Sequence, residues 1–188
     1  MERKGVFLAR LQPLHNGHAH IINKIIEEKG HAHVVIGSAD KSMSVRNPLP
    51  ISIRQAIIKT WLIENNLTDK VTVYTLNDLT TEEDNSHDWG DYLYSSICEM
   101  IGDEEFDMYY SDSPKIMLSW FGEALQQRVW FRFLDRSEIH DGISATKLRE
   151  MCLQKKHIHR YVPYTFSTVV SNSVRSCLQA AMSEIKDK

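Results

Sequence analysis

Apolar and polar positions along the chain fall into short blocks that switch between two periods. Residues 5–10 (GVFLAR) are an apolar run bounded by charge, which predicts a buried strand. Over 17–29 the apolar positions 21, 22, 25 and 26 follow helical spacing, and Gly30 supplies a stop. Residues 33–37 (HVVIG) predict a second buried strand. Residues 38–50 (SADKSMSVRNPLP) form a polar, proline-containing loop, long for a strand-to-helix connection, and long loops in compact domains are often functional. The spacing then predicts a helix over 51–65, a strand over 71–76, an acidic loop over 77–87 and a helix over 90–101. A strand over 107–111, a helix over 113–126 and a strand over 129–134 follow, with helices over 144–153 and 166–185 at the end.

Strands alternating with helices predict an α/β fold of Rossmann-like type, a parallel sheet with right-handed crossovers flanked by helices. In such folds the loops that leave the carboxyl ends of the strands carry the site. No repeat, low-complexity tract or linker divides the chain, so one domain is expected over 1–188, with a C-terminal helical part from about 144 to 188.

Composition narrows the function only by exclusion. The 188 residues are 42% hydrophobic and 25% charged, ordinary for a globular protein, and the formal net charge of −3 offers no global basic field for DNA or RNA. The three cysteines, Cys98, Cys152 and Cys177, form neither a CxxC pair nor a disulfide framework, which fits a reducing compartment. With neither a long apolar signal segment nor a membrane-length apolar run, a cytoplasmic location without membrane contact is expected.

The candidate chemistry sits at the first strand-to-helix junction. There is no Walker A pattern and no GxGxxG. The junction reads RLQPLHNGH (10–18) instead. Gly17 permits close approach of a ligand, and a helix starting beside it aims free N–H groups and its positive end at the loop. His15 and His18 then make a donor pair for a phosphate. A zinc site is the competing reading, but the histidines lack a cysteine, carboxylate or HExxH partner at ligand spacing. His20, His31, His33, His87, His140, His157 and His159 are read as surface or core histidines. A second cluster, ISATKLR (143–149), opens a helix near the end of the chain. Ser144 and Thr146 can cap it or donate to phosphate, and Arg149 adds positive charge.

HxGH near the N-terminus with SxTxxR near the C-terminus resembles the HxGH nucleotidyltransferase superfamily. Within it the chain is most similar to the archaeal-type nicotinamide-nucleotide adenylyltransferases. Residues 10–18 resemble that family's GRFQPFHxGH. Residues 37–42 (GSADKS) with Arg46-Asn47-Pro48 resemble its GSAQxS…(N/D)P loop. Asp78-Leu79 followed by Trp89 resembles its DI…W element, and 106–111 (FDMYYS) with Pro114 resembles FDxVYSGNP. The chain departs from the family at Ala9, Leu11 and Ala145, where the family has glycine, an aromatic residue and glycine. The segment from Asp78 to Trp89 is longer and more acidic than the family's, with Glu82, Glu83 and Asp84, and Ser86 stands at the family's asparagine.

The resemblance implies transfer of the AMP moiety of ATP to nicotinamide mononucleotide, giving NAD and pyrophosphate, with Mg²⁺ accompanying ATP. It implies His15, His18, Arg46 and Arg149 as catalytic residues. Arg10, Gly17, Ser144 and Thr146 would join His15, His18 and Arg149 around ATP. Gly37, Ser38, Lys41, Arg46, Asp78 and Trp89 would surround the mononucleotide, and no protein metal ligand is expected. Trp89 taken alone reads equally as a core residue. Family members of this type form multimers, so a homo-oligomer is possible. A cytidylyltransferase, a phosphopantetheine adenylyltransferase and a non-catalytic nucleotide-binding regulator stay open as alternatives. The KSMS stretch (41–44) also resembles the KMSKS loop of class I tRNA synthetases, but the chain is short and not basic.

Overall fold

A computed structural model describes residues 3–81, 84–135 and 143–186. Glu82, Glu83 and His140 lie outside the described residues. Five parallel strands make the sheet: β1 (Lys4–Ala9), β2 (Ala32–Ile36), β3 (Val71–Thr75), β4 (Phe106–Tyr110) and β5 (Val129–Phe133), in the spatial order β3-β2-β1-β4-β5. The order runs outward from β1 to β3, then restarts on the other side with β4. The carboxyl ends of β1 and β4 therefore diverge into loops on opposite faces, the crevice where open α/β sheets bind ligands.

The helices are α1 (Asn16–Lys29), α2 (Ile51–Glu64), α3 (His87–Ile101), α4 (Pro114–Ser119), α5 (Glu123–Gln126), α6 (Ala145–Leu153) and α7 (Ser167–Lys186). Period-two alternation sends strand residues to two separate cores. Phe7, Val34 and Tyr109 pack with Ile22 and Ile25 of α1, Trp61 of α2, Leu148 of α6 and Val174 of α7. Val6, Val35 and Met108 pack with Leu93 and Ile97 of α3 and with Met117 and Phe121. The C-terminal helices thus share a core with the first βα unit.

The structure departs from the predicted elements in two places that matter for the site. Helix α3 begins at His87 rather than Gly90, because the Ser86 hydroxyl accepts from the Trp89 N–H at 3.2 Å and caps the helix early. The single helix expected over 113–126 is broken into α4 and α5. A Cβ on Gly90 would lie 1.7 Å from the Trp120 carbonyl oxygen, so the backbone at Trp120 is pressed onto α3 and cannot continue a helix there. The break buries Phe121 and brings Trp120 beside Trp89.

Candidate active site

A cavity of about 840 Å³ opens at the carboxyl ends of β1, β2 and β4 and reaches the start of α6. That volume lies within the range of small-molecule sites. Arg10, His15, His18, Gly37, Ser38, Arg46, Asp78, Trp89, Ser144, Thr146 and Arg149 all line it. Residues more than a hundred positions apart are brought together by the parallel topology.

The histidines are built into the start of α1. The His15 Nδ1 accepts from the Gly17 N–H at 3.1 Å, and the His18 Nδ1 accepts from the His15 N–H at 3.3 Å. This is a reciprocal capping box with imidazoles in place of the usual hydroxyl and carboxylate. The rings stack with centroids 3.7 Å apart. Since each Nδ1 is an acceptor, each neutral ring carries its proton on Nε2 and meets the cavity as a donor. His20 does not line the cavity.

Three guanidinium groups share one wall. The Arg149 Nη1 donates to the Gln12 carbonyl at 3.1 Å and Nη2 to the Thr146 Oγ1 at 3.1 Å. Burial, then repulsion from Arg10 and Arg46, lowers the Arg149 pKa. Cations crowded at a cavity in this way are relieved by an anion with several oxygens, and the guanidinium fork suits phosphate. The Ser144 hydroxyl accepts from the Lys147 N–H at 3.2 Å and caps α6, whose first residues, Ala145 and Thr146, face the same space.

Two residues expected at the site stand off the cavity. The Gly17 N–H is taken by the His15 ring, so this glycine serves the cap. The Lys41 ammonium lies 2.6 Å from the Asp40 carboxylate and is turned toward that partner.

The far wall is aromatic and acidic. Trp89 is only 7% exposed and belongs to the core around α3, and it also lines the cavity. Trp120 meets it edge-on at 6.2 Å and donates from Nε1 to the Asn85 Oδ1 at 2.8 Å. Asp78 accepts from the Ser38 hydroxyl at 2.9 Å through Oδ1. Its Oδ2 is buried without a hydrogen-bond partner among the described residues.

Arg54 escaped sequence reasoning. Fully buried on α2, it donates from Nη1 to the carbonyls of Arg10 (3.0 Å) and Gly37 (2.9 Å), and from Nη2 to those of Ser38 (2.9 Å) and Lys41 (3.3 Å). Burial lowers its pKa to about 10, with Asp78 opposing, so it stays charged at neutral pH. The signal was present: Arg54 lies on the same stripe of α2 as Ile57, Ile58 and Trp61, and an arginine on an apolar stripe has a buried task. Leu11 and Ser38 hold positive φ angles of 51° and 47° beside the cavity, conformations that side chains adopt only when their surroundings enforce them. Trp120 and Gln12 also escaped; nothing in their spacing marks them.

Among the described residues no group of three or more His, Cys, Asp or Glu could hold a metal ion, and no helix is long and apolar enough to cross a membrane.

Comparison with known proteins agrees with this architecture. The chain is 24% identical over 171 residues to a nicotinamide-nucleotide adenylyltransferase of Archaeoglobus fulgidus, covering 89% of this chain and 90% of that one. It is 27% identical over 172 residues to the enzyme of the same name from Methanocorpusculum labreanum, covering 89% and 90%. The fold resembles the crystal structure of a bifunctional NMN adenylyltransferase/ADP ribose pyrophosphatase from Francisella tularensis, complexed with AMP and a Mn ion. The TM-score is 0.74 at 18% identity, over 99% of this chain and 54% of that one. The sequence pattern that defines the cytidylyltransferase-like family matches residues 6–151, and the chain belongs to that family.

Proposed function

We propose that this protein is a nicotinamide-nucleotide adenylyltransferase that joins nicotinamide mononucleotide to the AMP moiety of ATP, releasing NAD and pyrophosphate. The observation that carries this is the pairing of two Nε2 donors with three guanidinium groups on one side of a cavity whose other side is aromatic and acidic. The names of the archaeal relatives support the same reading.

The chemistry suits what the cavity offers. A 5′-phosphate oxygen attacks the α-phosphorus of ATP, a new P–O bond forms, and the bond to the departing pyrophosphate breaks. A phosphate monoester is mostly dianionic at neutral pH, with a second pKa of about 6, so no strong general base is required. The barrier lies in alignment and charge repulsion. His15 and His18 donate to oxygens around the transferred phosphorus, Arg149 and Arg10 hold the triphosphate with Ser144 and Thr146, and Arg46 offsets the charge of the incoming phosphate. Trp89, with Trp120 edge-on against it, meets the nicotinamide ring, whose positive charge in the mononucleotide gains a cation–π contribution of about 0.5–1 kcal/mol. Asp78, with its buried Oδ2, and Gly37 and Ser38 complete the mononucleotide side.

The donor set fits Mg²⁺ entering with ATP, since this ion keeps its waters and substrate oxygens and needs few protein ligands. When bound, the ion would supply neutralisation of phosphate charge. One domain over 1–188 belongs to the same proposal, because α6 and the β1 loop build one wall together, and a cytoplasmic location is proposed with it. ATP with nicotinamide mononucleotide and Mg²⁺ should give NAD by product mass, with pyrophosphate released. Turnover of CTP alone, or of phosphopantetheine alone, would sink this reading.

A further inference from the structure

A second cavity, of about 210 Å³, lies between the turn that follows α6 and the first two turns of α7. It shares no lining residue with the large cavity. We propose that it is a separate anion site for a small phosphate-bearing group, of the size of phosphate or pyrophosphate.

Four observations converge. First, Lys155, Lys156 and Arg175 line the cavity, and no carboxylate does. Second, it sits at the N-terminus of a helix of 20 residues; Val169 and Val170 donate to the Phe166 carbonyl, while Ser167 and Thr168, whose N–H groups precede them, line the cavity at the positive end of the dipole. Third, Ser167 opens that helix and lines the cavity. It is 9% exposed, and its side chain has no hydrogen-bond partner among the described residues. Its hydroxyl is thus open to an anion in the cavity. Fourth, the volume is below the roughly 300–1,000 Å³ of whole-ligand pockets, which selects a headgroup-sized anion over a complete nucleotide.

The charges are placed by the turn itself. Lys155 lies just past the end of α6 at φ 56°, the left-handed position where glycine is least strained, and the Lys156 N–H closes the turn on the Met151 carbonyl at 2.9 Å. Arg175 reaches back from two turns along α7, held by a bond from its Nη2 to the Asn172 Oδ1 at 2.5 Å. A guanidinium braced by one bond keeps other N–H groups for an oxyanion. Two loose lysines on a surface loop would be a solvated face. Here they line one small cavity together with an arginine, a helix start and a serine that is 9% exposed.

The test is an amide-shift titration of the full-length, ¹⁵N-labelled protein. The large cavity is first saturated with a non-hydrolysable ATP analogue. Inorganic pyrophosphate should then shift the Ser167 and Thr168 amides in a saturable way. The double variant Lys155→Gly, Arg175→Gln should weaken that saturation roughly tenfold or more, the loss expected for charge-assisted bonds to an anion. Lys155→Gly suits the left-handed turn, so the fold is retained while the charge is removed. Parallel titrations separate the sources: pyrophosphate saturating below ATP identifies the free anion, and the reverse order identifies the phosphate tail of a nucleotide. Either order supports the site. Shifts confined to the His18 and Arg149 region, or Ser167 shifts unchanged in the double variant, would overturn it.

Discussion

Two pairs of histidines stand at opposite ends of the same sheet, and their surroundings differ. His15 and His18 follow the carboxyl end of β1, with their Nδ1 atoms tied to backbone N–H groups and their rings at the cavity. His31 and His33 stand at the amino end of β2. The His31 Nε2 meets the Thr72 hydroxyl at 2.8 Å and the His33 Nδ1 meets the Tyr74 hydroxyl at 3.2 Å. Both pairs bring their rings close, at 3.7 and 5.0 Å between centroids. Spacing in sequence does not separate a pair that lines a cavity from one that does not. The end of the strand does, because only the carboxyl ends open into loops that can surround a ligand.

The comparison can be broken in several ways. The largest effect is expected from His18→Ala, which removes a donor to developing charge: kcat should fall about 10²–10³-fold with an unchanged far-UV spectrum. Retained turnover would dissolve the distinction between the pairs. His15→Asn is more discriminating. Asparagine caps helices well, so stability should stay within about 0.5 kcal/mol, while kcat falls roughly tenfold or more through loss of the Nε2 donor. A matched loss of both would mean that His15 acts only as a cap. His33→Ala should do the reverse, leaving kcat within a factor of about two and lowering stability by about 0.5–3 kcal/mol in a denaturant titration.

The smallest effect is a pH dependence. Burial, then repulsion from His31 and Lys4, lowers the His33 pKa from 6.5 to about 4. The folded protein disfavours the charged ring, so the unfolded chain takes up the proton first as pH falls. The stability contribution is complete above about pH 6.5 and is lost between there and about pH 4. The Tm of His33→Gln should decline less over that window than that of the parent. Equal declines would place the titrating group elsewhere.

The legibility of this molecule follows the same division. The strands and α1, α2, α6 and α7 were readable because each carries a complete local signal: a period, a boundary and a burial face. The grouping of His15, His18, Ser144, Thr146 and Arg149 at one cavity was readable for a related reason, since HNGH and SATKLR each combine a helix start with side chains suited to anions. The aromatic wall was not. Trp120 reaches the cavity only because Gly90 admits its carbonyl, a contact between residues thirty positions apart that no local pattern encodes. Ser86 was readable in principle as a cap, and it moved the start of α3 by three residues. Gly17 and Lys41 were placed at the site by motif, and the structure assigns their polar groups to partners nearer at hand.

Arg54 has a mechanical consequence. One cation grips four carbonyl oxygens, from the end of β1 and from the loop after β2. Each such bond to a charged group is worth about 1.5–3 kcal/mol, so prising the two strand ends apart would break several at once and strand a buried charge. That side of the cleft is a fixed jaw, while the opposite side is assembled from two short helices with Trp120 at the break between them.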